Sequence, residues 1–323
     1  MKILITGGVG FIGTNTAKYF AKNKNNQIII IDNFSRPQVE KNAQFLKKNY
    51  PQIKIIKTNV GNFKNYSSFL KKTDVVIHLA GQTAVTTSIK NPQQDFKNNL
   101  IESFSLLEFI RKNNPKAILI YSSTNKVYGD LKHLKKFFYV DENEKLDFIS
   151  PYGCSKGATD LYFIDYGRIY NLKTVVFRQS CIYGPHQFGV EDQGWVAHFS
   201  KQFLFKKSIT IFGNGKQIRD LLYIDDLIEA YEKAIFNIEK IKGQVFNIGG
   251  GKKNAYSLLQ VIKILEKKFG YQIKINFDKQ RIGDQKYFVS NNNKIKKLLN
   301  WQPKTPFLKG INNLINWQKH NLK

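Results

Sequence analysis

The stretch Ile3-Leu4-Ile5-Thr6-Gly7-Gly8-Val9-Gly10-Phe11-Ile12-Gly13 decides the architecture. A short apolar run rich in β-branched residues stops at a glycine-rich turn, and a helix-length segment follows over 12–22. Glycine has no Cβ, so the backbone there can approach a pyrophosphate. The helix N-terminus beyond it offers free N–H groups and the positive end of a dipole. The glycines fit two spacings, GxGxxG from Gly8 and GxxGxxG from Gly7. A second apolar run, 28–32, ends on Asp32, 19 residues after Gly13. A carboxylate at that place accepts hydrogen bonds from a ribose hydroxyl and repels a 2′-phosphate, which predicts NAD rather than NADP.

Outward from this turn the pattern repeats. The segments 2–6, 28–32, 53–57, 75–79, 117–122 and 174–178 read as strands buried on both faces, separated by helix-length segments such as 12–22, 99–112 and 151–170. Such a series predicts an α/β fold with a Rossmann-type, doubly wound parallel sheet. The second half is less regular, with helices expected at 226–236 and 257–269 and strands at 245–248 and 272–277. The expected division is an NAD-binding unit over 1–177 and a smaller C-terminal α/β substrate-binding unit over 178–323, parts of which return to the first sheet. The charged stretch 130–148 reads as a surface loop, and 23–26 and 291–297 as polar turns or helix starts. No internal repeat is present.

Hydrophobic residues make up 42% of the 323, and aromatics 14%, enough for a sizeable core. No apolar run approaches the roughly 20 residues that span a bilayer. The apolar N-terminal run is broken at Gly7 and Gly8, so no secretory signal is expected. Two cysteines, Cys154 and Cys181, form no CxxC pair, which points to a reducing cytoplasm. The five histidines lack metal-ligand spacing, and no metal is expected. A net charge of +27 fits either a nucleic-acid surface or a solvated lysine-rich one. The lysines are scattered along the whole chain, so no specific nucleic-acid partner is expected. Their field would attract an anionic substrate.

Ser122-Ser123-Thr124 follows the fifth strand and lies at its carboxyl end, where open α/β sheets bind ligands. Ser150-Pro151-Tyr152 starts a helix, with Ser150 suited to the N-cap and Pro151 to the first turn. Tyr152 and Lys156 then share one helix face. A phenol with pKa of about 10 is a poor base at neutral pH. A neighbouring ammonium and a positive nicotinamide ring would favour its phenolate, which could take a proton from a hydroxyl while hydride leaves for NAD. Thr124 could orient that hydroxyl.

These residues resemble a known family. Thr6-Gly7-Gly8-x-Gly10-Phe11-Ile12-Gly13, His78-Leu79-Ala80-Gly81, Ser122-Ser123-Thr124-x-x-Val127-Tyr128-Gly129 and Tyr152-x-x-x-Lys156 are similar to the extended short-chain dehydrogenases that epimerise or dehydrate sugar nucleotides, whose glycine spacing is the one counted from Gly7. The likeness continues through Gly213-Asn214-Gly215, Arg219-Asp220, Phe246-Asn247-Ile248-Gly249 and Asn300-Trp301-x-Pro303. Dehydratases of the family carry an acidic pair just after the threonine; here Asn125 and Lys126 stand there, which disfavours water loss. A narrower likeness covers Gly81-Gln82-x-Ala84-x-Thr86-Thr87-Ser88, Ser122 to Asp130, Ser150 to Ala158, and Gln187-Phe188 with Asp192-Gln193-Gly194-Trp195. It points to the branch whose members invert one carbon of a CDP-linked sugar, ahead of a C4 epimerase of UDP-sugars or a non-catalytic RNA binder.

The resemblance implies roles. Tyr152 would be base and acid, Lys156 its electrostatic partner and a ribose ligand, and Thr124 the hydroxyl aligner. Gly7, Gly10, Phe11, Ile12, Gly13, Asp32, Asn33, Asn59, Val60, Leu79, Ala80, Gly81, Asn99 and Ser122 would line the NAD site. Gln82, Thr86, Ser88, Gln187, Gln193, Trp195, Arg219 and Arg281 are candidate contacts for the sugar or its diphosphate. Asn59 stands where the family commonly has an aspartate, and Tyr223 where histidine is common. The family's usual pairing through helices like 99–112 and 151–170 implies a homo-oligomer, a dimer or tetramer.

Overall fold

Every one of the six apolar runs of the first half becomes a strand. Five are buried on both faces, whereas Lys54–Lys57 forms the sheet edge, with its lysines exposed and Ile55 and Ile56 half-buried, against the expectation of full burial. The computed structural model describes residues 1–134 and 138–322. The strands are β1 (Lys2–Thr6), β2 (Gln27–Asp32), β3 (Lys54–Lys57), β4 (Val75–His78), β5 (Ile118–Thr124) and β6 (Lys173–Gln179). Further along come β7 (Cys181–Tyr183), β8 (Ile209–Phe212), β9 (Ile218–Tyr223), β10 (Gln244–Ile248), β11 (Ala255–Ser257), β12 (Ile275–Asp278) and β13 (Tyr287–Phe288). The main sheet runs β10-β6-β5-β4-β1-β2-β3, and all its pairings are parallel. The order reverses beside β1, so β1 and β4 flank the crevice where open sheets take ligands. Register sets Thr6 opposite Ile31 on one side and His78 on the other, and Thr124 opposite Gln179.

The last strand of that sheet, β10, comes from beyond residue 177, as the sequence allowed. A second, smaller assembly centres on β9, which pairs with β11, β13 and β7, while β8 pairs with β12. One core cluster joins Ile3, Ile5 and Ile30 of the main sheet to Leu221, Leu227, Trp301 and Leu314. The two halves therefore share packing and have no hinge of exposed linker between them.

Sequence patterning did not anticipate β7, β8, β9, β11 and β13, or the helices Trp195–Leu204 and Phe307–Asn321. Arg219 and Asp220 interrupt the apolar run of β9, yet both are buried. The stretch 130–148 also differs from a plain surface loop. Val140 is buried with Val127, Tyr128, Leu131 and Phe288, and its N–H bonds Val289 O at 2.9 Å. Residues 135–137 of that stretch lie outside the described residues. The polar 291–297 stretch holds the start of the helix Asn293–Leu299. Among the described residues no helix is long and apolar enough to cross a membrane, and no group of three or more His, Cys, Asp or Glu side chains could hold a metal.

Candidate active site

The glycine turn between β1 and the helix Phe11–Phe20 is built for closeness. Gly7 is left-handed, φ +67°, and a Cβ there would lie 2.8 Å from Ala80 N. A Cβ on Gly13 would lie 2.4 Å from Gly7 O. Both positions thus require glycine, and the chain gains a cradle of backbone over β1. Gly10 occupies the N-cap of the helix with no side-chain cap and no acidic residue in the first turn, leaving Phe11 and Ile12 at an end suited to an anion. Asp32 closes the turn from β2, accepting from Val9 N at 3.1 Å and Phe34 N at 2.8 Å. Burial raises its carboxyl pKa, and these N–H groups oppose the rise. At the rim, Asn33 donates to Asn59 at 2.8 Å. Val60 is buried in the core with Tyr66 and Leu70, and its carbonyl accepts from the Tyr66 hydroxyl.

From β4, Leu79, Ala80 and Gly81 form the other wall. Ala80 N bonds Thr6 Oγ1 at 3.2 Å, and that oxygen lies 2.6 Å from His78 Nδ1. Burial pushes the His78 pKa down to about 3, so the ring is a neutral spacer between Thr6 and Ser103. Asn99 sits in one π-helical turn, Lys97–Ile101, that precedes the helix Glu102–Asn113. Such turns concentrate at functional sites. The Asn99 side chain accepts from Gln82 N at 2.8 Å and donates to Asp95 at 3.0 Å. Its place is thus beneath the Gly81–Gln82 loop, which it ties to Ser155 of the tyrosine helix.

That helix, Ser150–Ile169, starts one residue earlier than expected, with Ile149 at the N-cap and Ser150 as its first residue. Ser150 Oγ accepts from Gly153 N at 3.3 Å and Pro151 needs no partner for a missing N–H. Ser150 holds φ +82°, a left-handed conformation unusual for serine, immediately before the key tyrosine. Tyr152, Lys156 and Thr124 are all buried and converge at the carboxyl end of β5, with the Thr124 hydroxyl close enough to the Tyr152 phenol to favour its ionised form. Lys156 Nζ donates to Ser122 O at 2.5 Å and lies 4.2 Å from the centre of the Tyr121 ring.

Burial pushes the Tyr152 pKa up to about 12, with Thr124 pulling down, Asp95 up and Arg36 down. Burial pushes Lys156 down to about 7 against Asp160 and Asp95. The Lys156 ammonium is aimed at the Ser122 carbonyl and is itself desolvated, and the charge of Arg36 also favours the phenolate. No sequence motif marks Arg36; its only signal was a position four residues past Asp32.

The substrate side is more mixed. Ser88 is fully buried, its hydroxyl donating to Val85 O and accepting from Tyr152 N, so it braces the start of the tyrosine helix. The Gln82 side chain is likewise engaged, by both backbone groups of Ala84. Thr86 Oγ1 and Gln187 Oε1 are buried without a partner among the described residues, so each keeps an acceptor for a ligand. Gln193 closes a small bridge with Val190, and Trp195 Nε1 donates to Cys181 Sγ at 3.3 Å. Arg219 is buried against Asp284 at 2.6 Å, an aspartate that also lies 3.4 Å from Lys126. Arg281 pairs with Asp192 at 2.8 Å and stacks over Phe212, 3.9 Å from the ring centre. Asn125 and Gln285 bond each other, so neither residue after Thr124 offers a carboxylate.

A parallel sheet with a glycine cradle, an acidic strand end and a buried Thr/Tyr/Lys set defines a dinucleotide-dependent enzyme that oxidises and reduces at a hydroxyl-bearing carbon. Residues 3–249 match the NAD dependent epimerase/dehydratase family, and the chain belongs to that family. NAD is accordingly its cofactor, and the cradle fits it: the turn has room only for backbone, and the Asp32 carboxylate ends β2 beside it. The chain is 41% identical to CDP-paratose 2-epimerase of Salmonella typhi, over 98% of this chain and 99% of that one. It is 32% identical to a putative UDP-glucose 4-epimerase of Methanocaldococcus jannaschii, with 99% of each covered. Among solved structures it superimposes on UDP-glucuronic acid 4-epimerase from Bacillus cereus in complex with UDP-glucuronic acid and NAD, with TM-score 0.88, 32% identity and 99% of both chains covered.

Proposed function

We propose that the chain inverts C2 of CDP-paratose to give CDP-tyvelose, as an isomerase of polysaccharide precursors in the cytoplasm. The observation that carries the reading is the buried gathering of Thr124, Tyr152 and Lys156 at the carboxyl end of β5, in a chain with 41% identity to the Salmonella enzyme. Paratose has a CH2 at C3. A ketone at C4 would acidify C3 and C5 and leave C2 untouched, so inversion needs oxidation at C2 itself. NAD supplies the acceptor, then the donor, of the C2 hydride. Thr124 holds the C2 hydroxyl. Tyr152 takes its proton as the carbonyl forms and returns it after the 2-keto sugar has presented its other face, so no net redox change remains. Thr86 and Gln187 offer free acceptors to the sugar, and Arg219 and Arg281 forks to the diphosphate.

The test is NMR of CDP-paratose incubated with pure protein and no added cofactor, beside UDP-glucose. Inversion at C2 without deuterium from solvent at C3 supports the reading. Deuterium at C3 overturns the route, and turnover of UDP-glucose alone overturns the substrate in favour of a C4 epimerase, the activity named for the 32% relative. The same reading makes the protein a homo-oligomer, dimer or tetramer. Ile101, Leu161 and Tyr162 lie exposed at 45%, 46% and 43% along the two helices through which the family pairs. Light scattering checks it.

A further inference from the structure

Arg36 belongs to the segment between β2 and the helix Val39–Asn49, yet its guanidinium donates to the Thr83 hydroxyl in the loop after β4. In the sheet, β1 lies between β2 and β4. A side chain that reaches from one to the other must pass over the carboxyl end of β1, where the glycine turn sits. Its charge is felt at both ends of this crevice, at Asp32 and at Tyr152. The group is half-buried, and among the described residues no carboxylate forms an ion pair with it. Asp32 is the nearest candidate, but its oxygens are engaged by Val9 N and Phe34 N. A guanidinium carries five N–H donors. A partly desolvated cation with four donors to spare and no counter-ion is a site for an anion.

We propose that Arg36, held across the glycine turn by Thr83, is the cationic ligand of the NAD pyrophosphate. The helix N-terminus at Gly10 offers that group only neutral N–H donors, and Arg36 supplies the missing full charge in a planar fork. A 2′-phosphate is the other anion that an arginine near Asp32 could take. It would lie beyond the end of β2, beside the Asp32 carboxylate, whereas the Thr83 anchor draws Arg36 two strands inward. The inference rests on the NAD reading and is independent of the sugar.

Titration calorimetry on cofactor-stripped protein, with NAD, NADP, ADP-ribose and adenosine and no sugar present, tests it. Arg36→Gln should weaken NAD and ADP-ribose alike, by roughly tenfold to a hundredfold, and leave adenosine unchanged. Arg36→Lys, which keeps the charge but loses the fork, should fall between. Thr83→Val should cost less than Arg36→Gln, and the NAD loss should shrink at high salt. Unchanged NAD affinity, a loss confined to NADP, or an equal loss for adenosine each overturns the assignment. If Arg36→Gln does not fold, Arg36→Lys decides: NAD affinity equal to the parent refutes the fork. Because no sugar is present, these results stand or fall apart from those with CDP-paratose.

Discussion

The two sides of the cleft are held by different bonds. On the NAD side, backbone closeness and neutral hydrogen bonds dominate: Gly13 against Gly7 O, Ala80 on Thr6, Asn99 under Gln82. On the sugar side, charges from distant loops meet, with Arg219 and Lys126 sharing Asp284 and Arg281 on Asp192. A cradle of backbone carries no titrating group of its own, so pH and salt reach the NAD side only through side chains such as Arg36 and Lys156. A cluster of ion pairs responds to both, and its partners can be exchanged for the phosphates of a substrate.

The largest effect is expected where the sides meet. Tyr152→Phe should lower kcat by roughly 10²–10⁴-fold, with NAD binding intact, as NMR turnover and calorimetry would read. A variant that still turns over would erase the distinction between cradle and chemistry. Next comes Asp284→Asn, which leaves Arg219 and Lys126 facing each other uncompensated. It should destabilise by about 2–3 kcal/mol, below the cost of a fully buried pair because Asp284 keeps 23% exposure. Substrate KM should change while NAD affinity holds. Against the push of burial, Arg219 and Lys126 hold the Asp284 carboxyl below its usual range. Its stabilising share is thus present above pH of about 4 and lost as pH falls through the lowered folded value. Denaturation midpoints of parent and variant should converge there.

The NAD side offers a third effect, seen only as a slope with pH. Lys156 has its pKa at about 7 in the fold and 10.5 outside it, so the unfolded chain binds the extra proton between them. Cofactor-free protein should therefore gain stability as pH rises from 7 towards 10, and Lys156→Met should flatten that slope in urea titrations. The smallest effect is expected at Asp192→Asn. Its pair with Arg281 is exposed, 45% and 25%, and should contribute under about 1 kcal/mol. A modest rise in substrate KM that vanishes at high salt would confirm that this contact is a screened one.

The same contrast explains what could be read from the residues. Backbone closeness writes itself locally: Gly7, Gly10 and Gly13 at fixed spacing, Asp32 at a strand end, and Tyr152 four residues from Lys156 all announce their geometry within one element. The sheet followed from the same logic, since each β-branched run is self-sufficient. Arg36 reaching Thr83, Lys126 meeting Asp284 and Ser88 bracing Tyr152 depend on chain segments 47, 158 and 64 residues apart. No period in the sequence encodes such meetings. β9 was hidden for a related reason: Arg219 and Asp220 look like surface residues until their partners, Asp284 on one side and Ser180 and Ser290 on the other, are known.

The return of β10 to the edge of the main sheet bears on how the chain is made. During synthesis, β6 leaves the ribosome some 70 residues before β10, which pairs with it from Gln244 to Ile248. Throughout that interval the nascent sheet carries an open, apolar border of unpaired amides, the kind of border that recruits other chains. Translation stalled in this window leaves a polypeptide that already holds the dinucleotide cradle yet is prone to stick to its neighbours.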